Sequence, residues 1–305
     1  HNSRTTARAD FVCSGESDQN TIRLALAALP AYGGKLLFLE GDYDLDCYGV
    51  EPVASQYRLI TIDRPYISIE GMGEATRFKL AAGAVSAGYS HLLFYVTASG
   101  FRLRNISIDG NGAMNGGGGI TGLCLGLNAG QSIIGGLSVT GCDTAGLELR
   151  GEYVHAHDNF ISGCGHGCLL TAATAELSAN CIRGNGGYGV LAQNANVNLV
   201  ANRVLDNAGG GIRVLSGGRG VVSGNLLAGN PLGISLYAAQ DMMLLNNFIR
   251  RDNSGSAYGG NEYSIRLENC SRVVALGNWV YGKAVSASGC TNLTLALSGS
   301  DWNPS

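Results

Sequence analysis

Residues 180–202 read NCIRGNGGYGVLAQNANVNLVAN and contain one complete unit of an internal repeat. The asparagine that opens this unit recurs in register along the chain, at Asn159, Asn180, Asn202, Asn225, Asn247 and Asn278. A glycine recurs beside it every 21 or 22 residues, at Gly146, Gly167, Gly189, Gly211 and Gly233. Self-similarity at a fixed period of this length is typical of repeat architectures.

Within each unit the apolar residues alternate with a period of two. In the segment 211–215, Ile212 and Val214 face one way and Arg213 faces the other, and the segment 154–157 alternates likewise. Because no helix-length pattern separates these segments, each unit is predicted to hold about three short strands. Such units wind as a parallel β-solenoid that advances about 4.8 Å per coil.

The repeated asparagines and glycines are predicted to have structural roles. Asparagine tolerates the left-handed backbone of a turn, and side-chain amides stacked once per coil can form a hydrogen-bonded ladder. The repeated glycines are interpreted as tight turns placed just before a strand.

Composition excludes several classes of protein. Glycine accounts for 47 of 305 residues, yet apolar residues reach 45% and the formal net charge is only −3, which argues against disorder. A pI near 6.0 predicts no nucleic-acid partner. The longest uncharged run, 110–142, is rich in Gly, Asn and Ser, and it predicts no membrane span.

The cysteines do not form a metal-binding pattern. There are nine, so at least one is unpaired if every bond lies within the chain, and no CxxC pair occurs. They are interpreted as small apolar residues of a tight interior, with a Cys13–Cys47 bridge left open as an alternative. We expect neither a bound metal nor a cofactor.

An open solenoid end needs a cap, and the N-terminus is predicted to supply one. Asp18 is expected to cap a helix, and Gly33-Gly34 leads into an apolar segment, 36–39, that is expected to form a buried strand. The apolar side of the helix is assigned to Ile22, Leu24, Ala25, Leu26 and Leu29.

This N-terminal segment resembles the capping segment of pectate-lyase-like right-handed β-helix proteins. The resemblance rests on Cys13–Asp18, Ile22, Ala25-Leu26, Gly33-Gly34, Leu37–Leu39 and Gly41–Tyr43, while Glu40 stands where the family often has proline. It implies an all-β, single-stranded right-handed parallel β-helix with an N-terminal capping helix. We predict one structural domain, with a cap over residues 1–45 and coils over 46–305. Handedness follows from the resemblance and from the right-handed crossover rule.

The superfamily includes phage tailspikes, polysaccharide lyases and mannuronan C5-epimerases, so the resemblance implies a groove along the strand that follows each repeated glycine. Its predicted outward columns run Glu148, Leu169, Leu191, Arg213, Ser235, Arg266 and Arg150, Thr171, Gln193, Leu215, Tyr237, Glu268. Arginine forks suit sugar carboxylates, and a near-neutral imidazole suits a general base. The candidate catalytic residues are therefore Glu148, Arg150, Arg213, Arg266, Glu268 and His166.

Further residues are candidates for substrate binding. Gln193 and Tyr237 lie on the predicted groove, and a loop nine residues longer than its neighbours is expected to overhang it. That loop contributes Tyr258, Glu262 and Tyr263. His155 and His157 face outward together, but on the preceding face.

An apolar stripe is predicted on the outer surface toward the C-terminus. It comprises Val221, Leu226, Met243, Leu245, Phe248, Val274, Leu276 and Trp279. A monomer rarely exposes such a stripe, and the tailspikes that the chain resembles are homotrimers, so we expect a homotrimer.

The leading hypothesis is a tailspike- or depolymerase-like protein that acts on a bacterial surface glycan or another acidic glycan, as a polysaccharide lyase or glycoside hydrolase, outside the cell or on a virion surface. A monomeric secreted lyase or C5-epimerase is the first alternative. A non-catalytic glycan-binding or adhesin-like fibre is the second. A hydrolase confined to the groove is disfavoured, because Glu148 and Glu268 stand five coils, about 24 Å, apart, whereas a hydrolytic pair needs about 5 to 9.5 Å.

Overall fold

The computed structural model describes residues 9–250, 263–281 and 285–298. These residues form a right-handed parallel β-helix, as the sequence predicts. The strands fall into two hydrogen-bonded sheets, one of ten strands and one of twenty. The larger sheet contains two strand series, so each coil contributes to three faces.

Face 1 is the ten-strand sheet. Its strands are Gln56–Ile62, Ser90–Val96, Ile120–Leu125, Ala145–Leu149, His166–Thr171, Tyr188–Gln193, Gly210–Leu215, Ile234–Tyr237, Ile265–Glu268 and Val285–Ser288. Its strands pair in parallel, each with the strand of the next coil.

Faces 2 and 3 share the larger sheet. The strands of face 2 are Gly34–Leu37, Ile67–Glu70, Arg102–Arg104, Ile133–Gly135, Glu152–His157, Thr174–Ser178, Asn196–Val200, Arg219–Ser223 and Gln240–Leu245. The strands of face 3 are Gly41–Leu45, Thr76–Leu80, Ser107–Asp109, Ser138–Thr140, Phe160–Ser162, Cys181–Arg183, Arg203–Leu205, Leu226–Ala228 and Phe248–Arg250. Two longer strands, Ser271–Tyr281 and Thr291–Ser298, run across both faces.

The helical segments are short. The capping helix spans Asp18–Ala28, a single turn forms at Gly112–Asn115, and a 3-10 turn forms at Gly73–Ala75. The strands Gly34–Leu37 and Gly41–Leu45 already pair with the next coil. The domain boundary placed after residue 45 remains a prediction.

Three details of the predicted cap are corrected. Asp18 is the first helical residue, and its carboxylate accepts hydrogen bonds from the N–H groups of Gly15 and Asp44, so it ties the helix to the adjacent strand. Leu24 is 64% exposed and lies off the apolar side. The segment 36–39 is only partly buried, with Leu37 exposed, because it begins the first rung of face 2 at the open end.

The asparagine ladder is present. Each side-chain Nδ2 donates to the Oδ1 of the next asparagine at 2.8–3.0 Å, from Asn159 through to Asn278. Each Oδ1 also accepts a bond from the backbone N–H of the preceding asparagine. A second ladder, absent from the sequence-based prediction, joins Asn185, Asn207 and Asn230. Both ladders are buried, so they fix the coils from inside.

The reasons for the repeated asparagines and glycines differ from those predicted. The left-handed residue is the one before each ladder asparagine, for example Asp158 and Ala201, and the asparagines themselves do not have positive φ. Four of the five repeated glycines lie within face-1 strands, and Gly233 directly precedes one. A Cβ on Gly167 would come within 2.3 Å of Ile182 Cγ2, so glycine is required there by close packing of the corner rather than by a tight turn.

The interior is apolar from end to end. At the N-terminal end an aromatic cluster around Phe78 fills it. The ring centroids of Phe38, Tyr43 and Phe94 each lie 5.0 Å from the ring centroid of Phe78. Later coils use Leu, Ile, Val and Ala. None of the helices in the described residues is long and apolar enough to cross a membrane.

All nine cysteines are free thiols, so the Cys13–Cys47 bridge considered from the sequence is not formed. Six are buried and three are partly buried. Burial raises the pKa of the Cys13 thiol to about 12. The cysteines therefore act mainly as small interior residues, as the sequence indicates.

Candidate functional site

Face 1 has the outward columns that the repeat predicts. Glu148 pairs with Leu169, and the register continues through Leu191 to Arg213. The same column then passes Ser235 and reaches Arg266. The second column runs from Thr171 through Gln193, Leu215 and Tyr237 to Glu268. Side chains in one column are therefore about 4.8 Å apart per coil.

Glu148 and Arg150 form a closed pair at the N-terminal side of the groove. Arg150 Nε donates to Glu148 Oε1 at 2.8 Å, and Arg150 Nη2 contacts the same oxygen. Glu148 is only 7% exposed, and Cys124 precedes it in the column. Burial raises the pKa of the Cys124 thiol to about 12, and the negative charge of Glu148 adds to that effect. Glu148 is thus a charge-paired carboxylate.

Arg266 and Glu268 form a second pair of the same kind. Arg266 Nη2 donates to Glu268 Oε1 at 2.5 Å, at an exposed position. Each of the two face-1 glutamates predicted as catalytic forms an ion pair with the arginine two residues away along the chain. Their separation of five coils, about 24 Å, places them too far apart for a hydrolytic pair.

Arg213 belongs to a different arrangement, a stack of three side chains along the groove edge. Arg213 Nη1 donates to Tyr188 Oη at 2.8 Å, and its guanidinium carbon lies 5.3 Å from the centroid of the Tyr188 ring. The Tyr188 ring in turn stacks on His166, with centroids 6.2 Å apart and an interplanar angle of 11°. The structure therefore brings Arg213 and His166 together through Tyr188, a residue that sequence reasoning missed.

His166 does not have the free basic nitrogen that was expected of it. The Tyr188 N–H donates to His166 Nδ1 at 3.0 Å, which places the proton of the neutral ring on Nε2. Partial burial lowers the pKa of His166 below its usual value. The ring is thus a neutral support for Tyr188 near pH 7, and the geometry does not favour a general base at this position.

A second arginine–tyrosine contact lies at the N-terminal end of face 1. The Arg58 guanidinium carbon sits 4.2 Å from the centroid of the Tyr95 ring, and Arg58 Nη2 donates to Gln56 Oε1 at 3.1 Å. Tyr95 occupies the column that leads through Cys124 to Glu148. Arg58 and Arg213 stand six coils, about 29 Å, apart along the axis.

Arg58 and Arg213 share one further property. In the part of the chain that the structure describes, the Nε atoms of these two residues are the buried side-chain nitrogen or oxygen atoms that lack a hydrogen-bond partner. A buried donor without a partner costs roughly 1–3 kcal/mol. The described residues therefore leave the hydrogen bonding of face 1 incomplete at both arginines.

The predicted binding residues fall in three places. Gln193 and Tyr237 are exposed on face 1, as expected. Tyr258 and Glu262 lie outside the described residues, and Tyr263 is described at the next coil, where its carbonyl accepts a bond from Gly233 N–H. His155 and His157 lie on face 2.

The two face-2 histidines contact each other, with ring centroids 4.7 Å apart. His155 Nε2 lies 2.8 Å from Ser178 Oγ, and His157 Nδ1 lies 2.8 Å from Asp158 Oδ2. Each ring therefore has one nitrogen engaged by a neighbour. The pair belongs to a site separate from face 1.

The predicted apolar stripe lies on faces 2 and 3. Met243, Phe248, Leu276 and Trp279 are 40–47% exposed. Val221, Leu226, Leu245 and Val274 are partly buried beside them. The register stacks these side chains coil on coil.

A family comparison classifies the chain. The family model described as "Periplasmic copper-binding protein (NosD)" matches residues 94–266, more than half of the chain. The chain belongs to the NosD family. The match covers the coils of face 1 from Tyr95 to Arg266, and so includes most of the candidate site. A comparison with curated protein sequences gives no match.

Solved structures similar to this NosD-family chain share its fold at low sequence identity. The A-module of the Azotobacter vinelandii mannuronan C-5 epimerase AlgE4 matches at 17% identity and a TM-score of 0.66, over 97% of each chain. An alginate lyase from Paenibacillus sp. matches at 12% identity and a TM-score of 0.58, over 91% of this chain and 97% of that one. Tailspike protein 2 of bacteriophage CBA120 matches at 14% identity and a TM-score of 0.66, over 95% of this chain and 46% of that one.

The family description raises the question of whether these residues suit copper. Within residues 9–250, 263–281 and 285–298, no group of three or more His, Cys, Asp or Glu side chains is placed to hold a metal ion. The His155–His157 pair brings two imidazoles together, but one nitrogen of each is engaged by Ser178 or Asp158. The described part of this NosD-family chain thus does not fit a copper centre, and no step of a mechanism is assigned to copper.

Proposed function

We propose that the protein binds an acidic polysaccharide along face 1 and acts on it as a lyase or C5-epimerase. The observation that carries the proposal is the Arg213–Tyr188 pair, in which a guanidinium with an unpartnered Nε lies 2.8 Å from a phenolic oxygen. Both reactions need a group that neutralises a sugar carboxylate and a second group, close to the first, that removes the C5 proton. A lyase can pass that proton to the departing glycosidic oxygen, and an epimerase takes a new proton from water on the opposite face of the ring. The Arg213–Tyr188 pair has both groups.

Arg213 is assigned the sugar carboxylate. Its planar guanidinium can meet a carboxylate with two parallel hydrogen bonds from its terminal Nη groups, whereas its Nε is buried. Neutralising the carboxylate makes the proton on the adjacent ring carbon easier to remove. No carboxylate of the described residues is hydrogen-bonded to Arg213, whereas Arg150 and Arg266 are already paired with glutamates.

Tyr188 is assigned the proton transfer. Its Oη accepts the bond from Arg213, so a carboxylate held by Arg213 brings the neighbouring sugar carbon close to the same phenolic oxygen. His166, neutral and stacked beneath the ring, fixes the orientation of Tyr188 through the bond from the Tyr188 N–H. Residues that are rigidly positioned in this way favour catalysis, because the reacting groups need no rearrangement.

Arg58 and Tyr95 are assigned a distant binding subsite. Arg58 lies six coils, about 29 Å along the axis, from Arg213 in the same sheet, and it also has an unpartnered Nε. A polymer that lies along the β-helix axis can reach both arginines. This spacing favours a long glycan over a free monosaccharide as the ligand of face 1.

Similar structures support the general kind of activity. Their titles name a mannuronan epimerase, an alginate lyase and phage tailspikes, although the likeness itself concerns the fold. A glycoside hydrolase is less well supported, because the face-1 glutamates are paired and far apart. A non-catalytic glycan-binding fibre would use the same arginines to bind the glycan, and it differs from the enzyme only in that it yields no product.

The test compares binding with turnover on uronate polymers such as alginate and polygalacturonate. Unsaturated products are followed by ultraviolet absorbance, epimers by proton NMR, and binding by calorimetry. Arg213→Met should weaken binding about tenfold or more, and Tyr188→Phe should keep binding and abolish turnover. Arg203→Met on face 3 removes an exposed arginine elsewhere and serves as the control.

Two results would overturn parts of this proposal. If Tyr188→Phe turns over substrate at the wild-type rate, the assigned proton transfer is wrong. If the wild-type protein binds these polymers and yields no product, the fibre alternative is correct. Polymer binding that is unchanged in Arg213→Met would remove face 1 as the binding surface.

The assembly and the location of the protein complete the proposal. We propose that the apolar stripe is the interface of a homotrimer and that the protein works outside the cytoplasm, which agrees with the periplasmic description of the family. Light scattering should give three times the chain mass of 31.6 kDa. Trp279→Lys should reduce the mass to that of a monomer, and a wild-type monomer would contradict the interface.

A further inference from the structure

Face 2 carries a depression that its own strands line. A cavity of about 420 Å³ opens there over four successive coils. Its lining includes Tyr153, His155, Glu176, Asn198, Arg219 and Gly220. These residues are remote from the Arg213–Tyr188 pair, which belongs to the other sheet.

The depression has its origin in the backbone register. Tyr153 is an extra residue in its strand, where the pairing shifts between Glu152 and Val154, and it has φ of 56°. Asp241 and Arg272 occupy the equivalent position in later coils and also have positive φ. The strands Thr174–Ser178 and Asn196–Val200 pair without such a residue. The cavity thus lies over coils that lack the extra residue, and the coil with Tyr153 flanks it.

The floor of the face-2 cavity is apolar and flat. It is formed by Ala175, Val197 and Gly220. Gly220 has φ of 129°, and a Cβ there would stand 1.8 Å from the carbonyl oxygen of Val197, so glycine is required. Tyr153, 70% exposed, forms one end of the cavity. An aromatic ring beside a small apolar floor suits the C–H face of a sugar ring.

One wall of the cavity is polar and held in place. Asn198 Nδ2 donates to Glu176 Oε2 at 3.2 Å, and His155 Nε2 lies 3.5 Å from Glu176 Oε1. The Glu176 side chain remains 44% exposed, so its oxygens keep room for donors from a ligand. A carboxylate fixed by its neighbours and open to the cavity suits sugar hydroxyl groups.

The opposite wall presents an arginine whose charge is only loosely matched. Arg219 Nε lies 3.7 Å from Asp241 Oδ2, and its side chain is 59% exposed. Both oxygens of Asp241 are already engaged by Arg272. Arg219 therefore has donors for an anionic group at the end of the cavity away from Glu176.

We propose that the face-2 cavity is a second binding site, which takes one hexuronate residue with its hydroxyl groups toward Glu176 and Asn198 and its carboxylate toward Arg219. The volume lies in the range usual for small-ligand sites, about 300–1,000 Å³. The residue can come from free hexuronate or from a unit of a polymer. The site does not depend on the function proposed for face 1, because it shares no residue with it.

The experiment titrates sodium glucuronate, and a uronate tetrasaccharide, into the full chain by calorimetry and saturation-transfer NMR. We expect saturable binding of glucuronate that weakens about tenfold or more in Arg219→Met. Glucose, which lacks the carboxylate, should bind much more weakly than glucuronate. Thr174→Tyr, a substitution at the cavity edge, should block the site and leave the polar wall unchanged. Arg102→Met, an exposed arginine of the same face outside the cavity, is the control.

The variants also separate this site from face 1. Glucuronate binding should survive in Arg213→Met, and polymer turnover should survive in Arg219→Met. Binding of the monosaccharide indicates a free sugar as a ligand, and binding of the tetrasaccharide alone indicates a polymer unit. Absence of saturable binding of either sugar, or binding that Arg219→Met and Thr174→Tyr leave unchanged, would overturn the proposal.

Discussion

The interior ladders and face 1 use polar side chains in opposite ways. Inside, each ladder asparagine from Asn159 to Asn247 donates through Nδ2 to the asparagine of the next coil, and its Oδ1 accepts from the coil before it. On face 1, Arg58 and Arg213 each keep a buried Nε without a partner in the described chain. Because buried polar groups in proteins are nearly always hydrogen-bonded, the ladders satisfy their own polar groups, whereas face 1 leaves two buried donors unsatisfied in the described chain.

The largest expected effect comes from breaking the ladder at its centre. Asn202→Ala removes the acceptor for two donors of Asn180 and the donor to Leu177 O and Asn225 Oδ1. Since each buried group left unpaired costs about 1–3 kcal/mol, the free energy of unfolding should fall by roughly 3–6 kcal/mol. Urea denaturation followed by circular dichroism measures the change.

Asn196→Ala is the matched control for the ladder variant. Asn196 is exposed and lies in the same coil, so its substitution should change stability by less than about 0.5 kcal/mol. Equal losses for the two variants would show that the ladder adds nothing beyond ordinary surface asparagines.

Arg58→Met tests the other half of the comparison. Removing a guanidinium that has an unpartnered Nε should cost less than about 1 kcal/mol of folding stability, mainly the contact with the Tyr95 ring. Binding of a uronate polymer should nevertheless weaken about tenfold. Thermal denaturation and calorimetry measure the two effects. A stability loss as large as that of Asn202→Ala would make Arg58 a structural residue instead.

The part of the molecule that could be predicted is the part that follows the 22-residue period. The repeated asparagine and the alternating apolar residues place each strand, and they place the outward columns from Glu148 to Arg266 in their observed register. Period and alternation depend only on spacing along the chain, and the sequence shows spacing directly.

The corners of the coils were not predictable in this way. Tyr188 stands two residues before the buried Val190, and His166 stands two residues before the buried Cys168. Strict alternation therefore assigns both Tyr188 and His166 to the interior. The chain bends at each strand start, which turns these side chains toward the groove edge. Spacing gives the face of a residue along a straight strand but not its direction at a bend.

Positions where the register changes were also missed. The extra residue Tyr153, which creates one end of the face-2 cavity, is visible only once the strand pairing is known. The second ladder escaped notice because it has only three asparagines, and Cys142 and Cys164 take its place in earlier coils.

The cysteines at the start of the second ladder allow that ladder to be lengthened. Cys164 N–H already donates to Asn185 Oδ1 at 2.9 Å, as a ladder asparagine would. Cys164→Asn replaces the thiol with an amide, and it should add a donor to the same oxygen and stabilise the fold by about 0.5–1.5 kcal/mol. Urea denaturation measures this gain. Cys164→Ser, which is too short to continue the ladder, is the control, and an equal effect in both variants would contradict the mechanism.

The smallest expected effect concerns the support beneath Tyr188. Burial lowers the pKa of His166 in the folded state below its unfolded value near 6.5, so between these two values the unfolded chain binds more protons. Stability is therefore fully present above the unfolded pKa and declines as the pH falls toward the folded pKa. The slope of unfolding free energy between these pH values should become shallower in His166→Gln, because that side chain cannot take up a proton. An unchanged slope would show that other groups cause the pH dependence, and His166 would then support Tyr188 through packing alone.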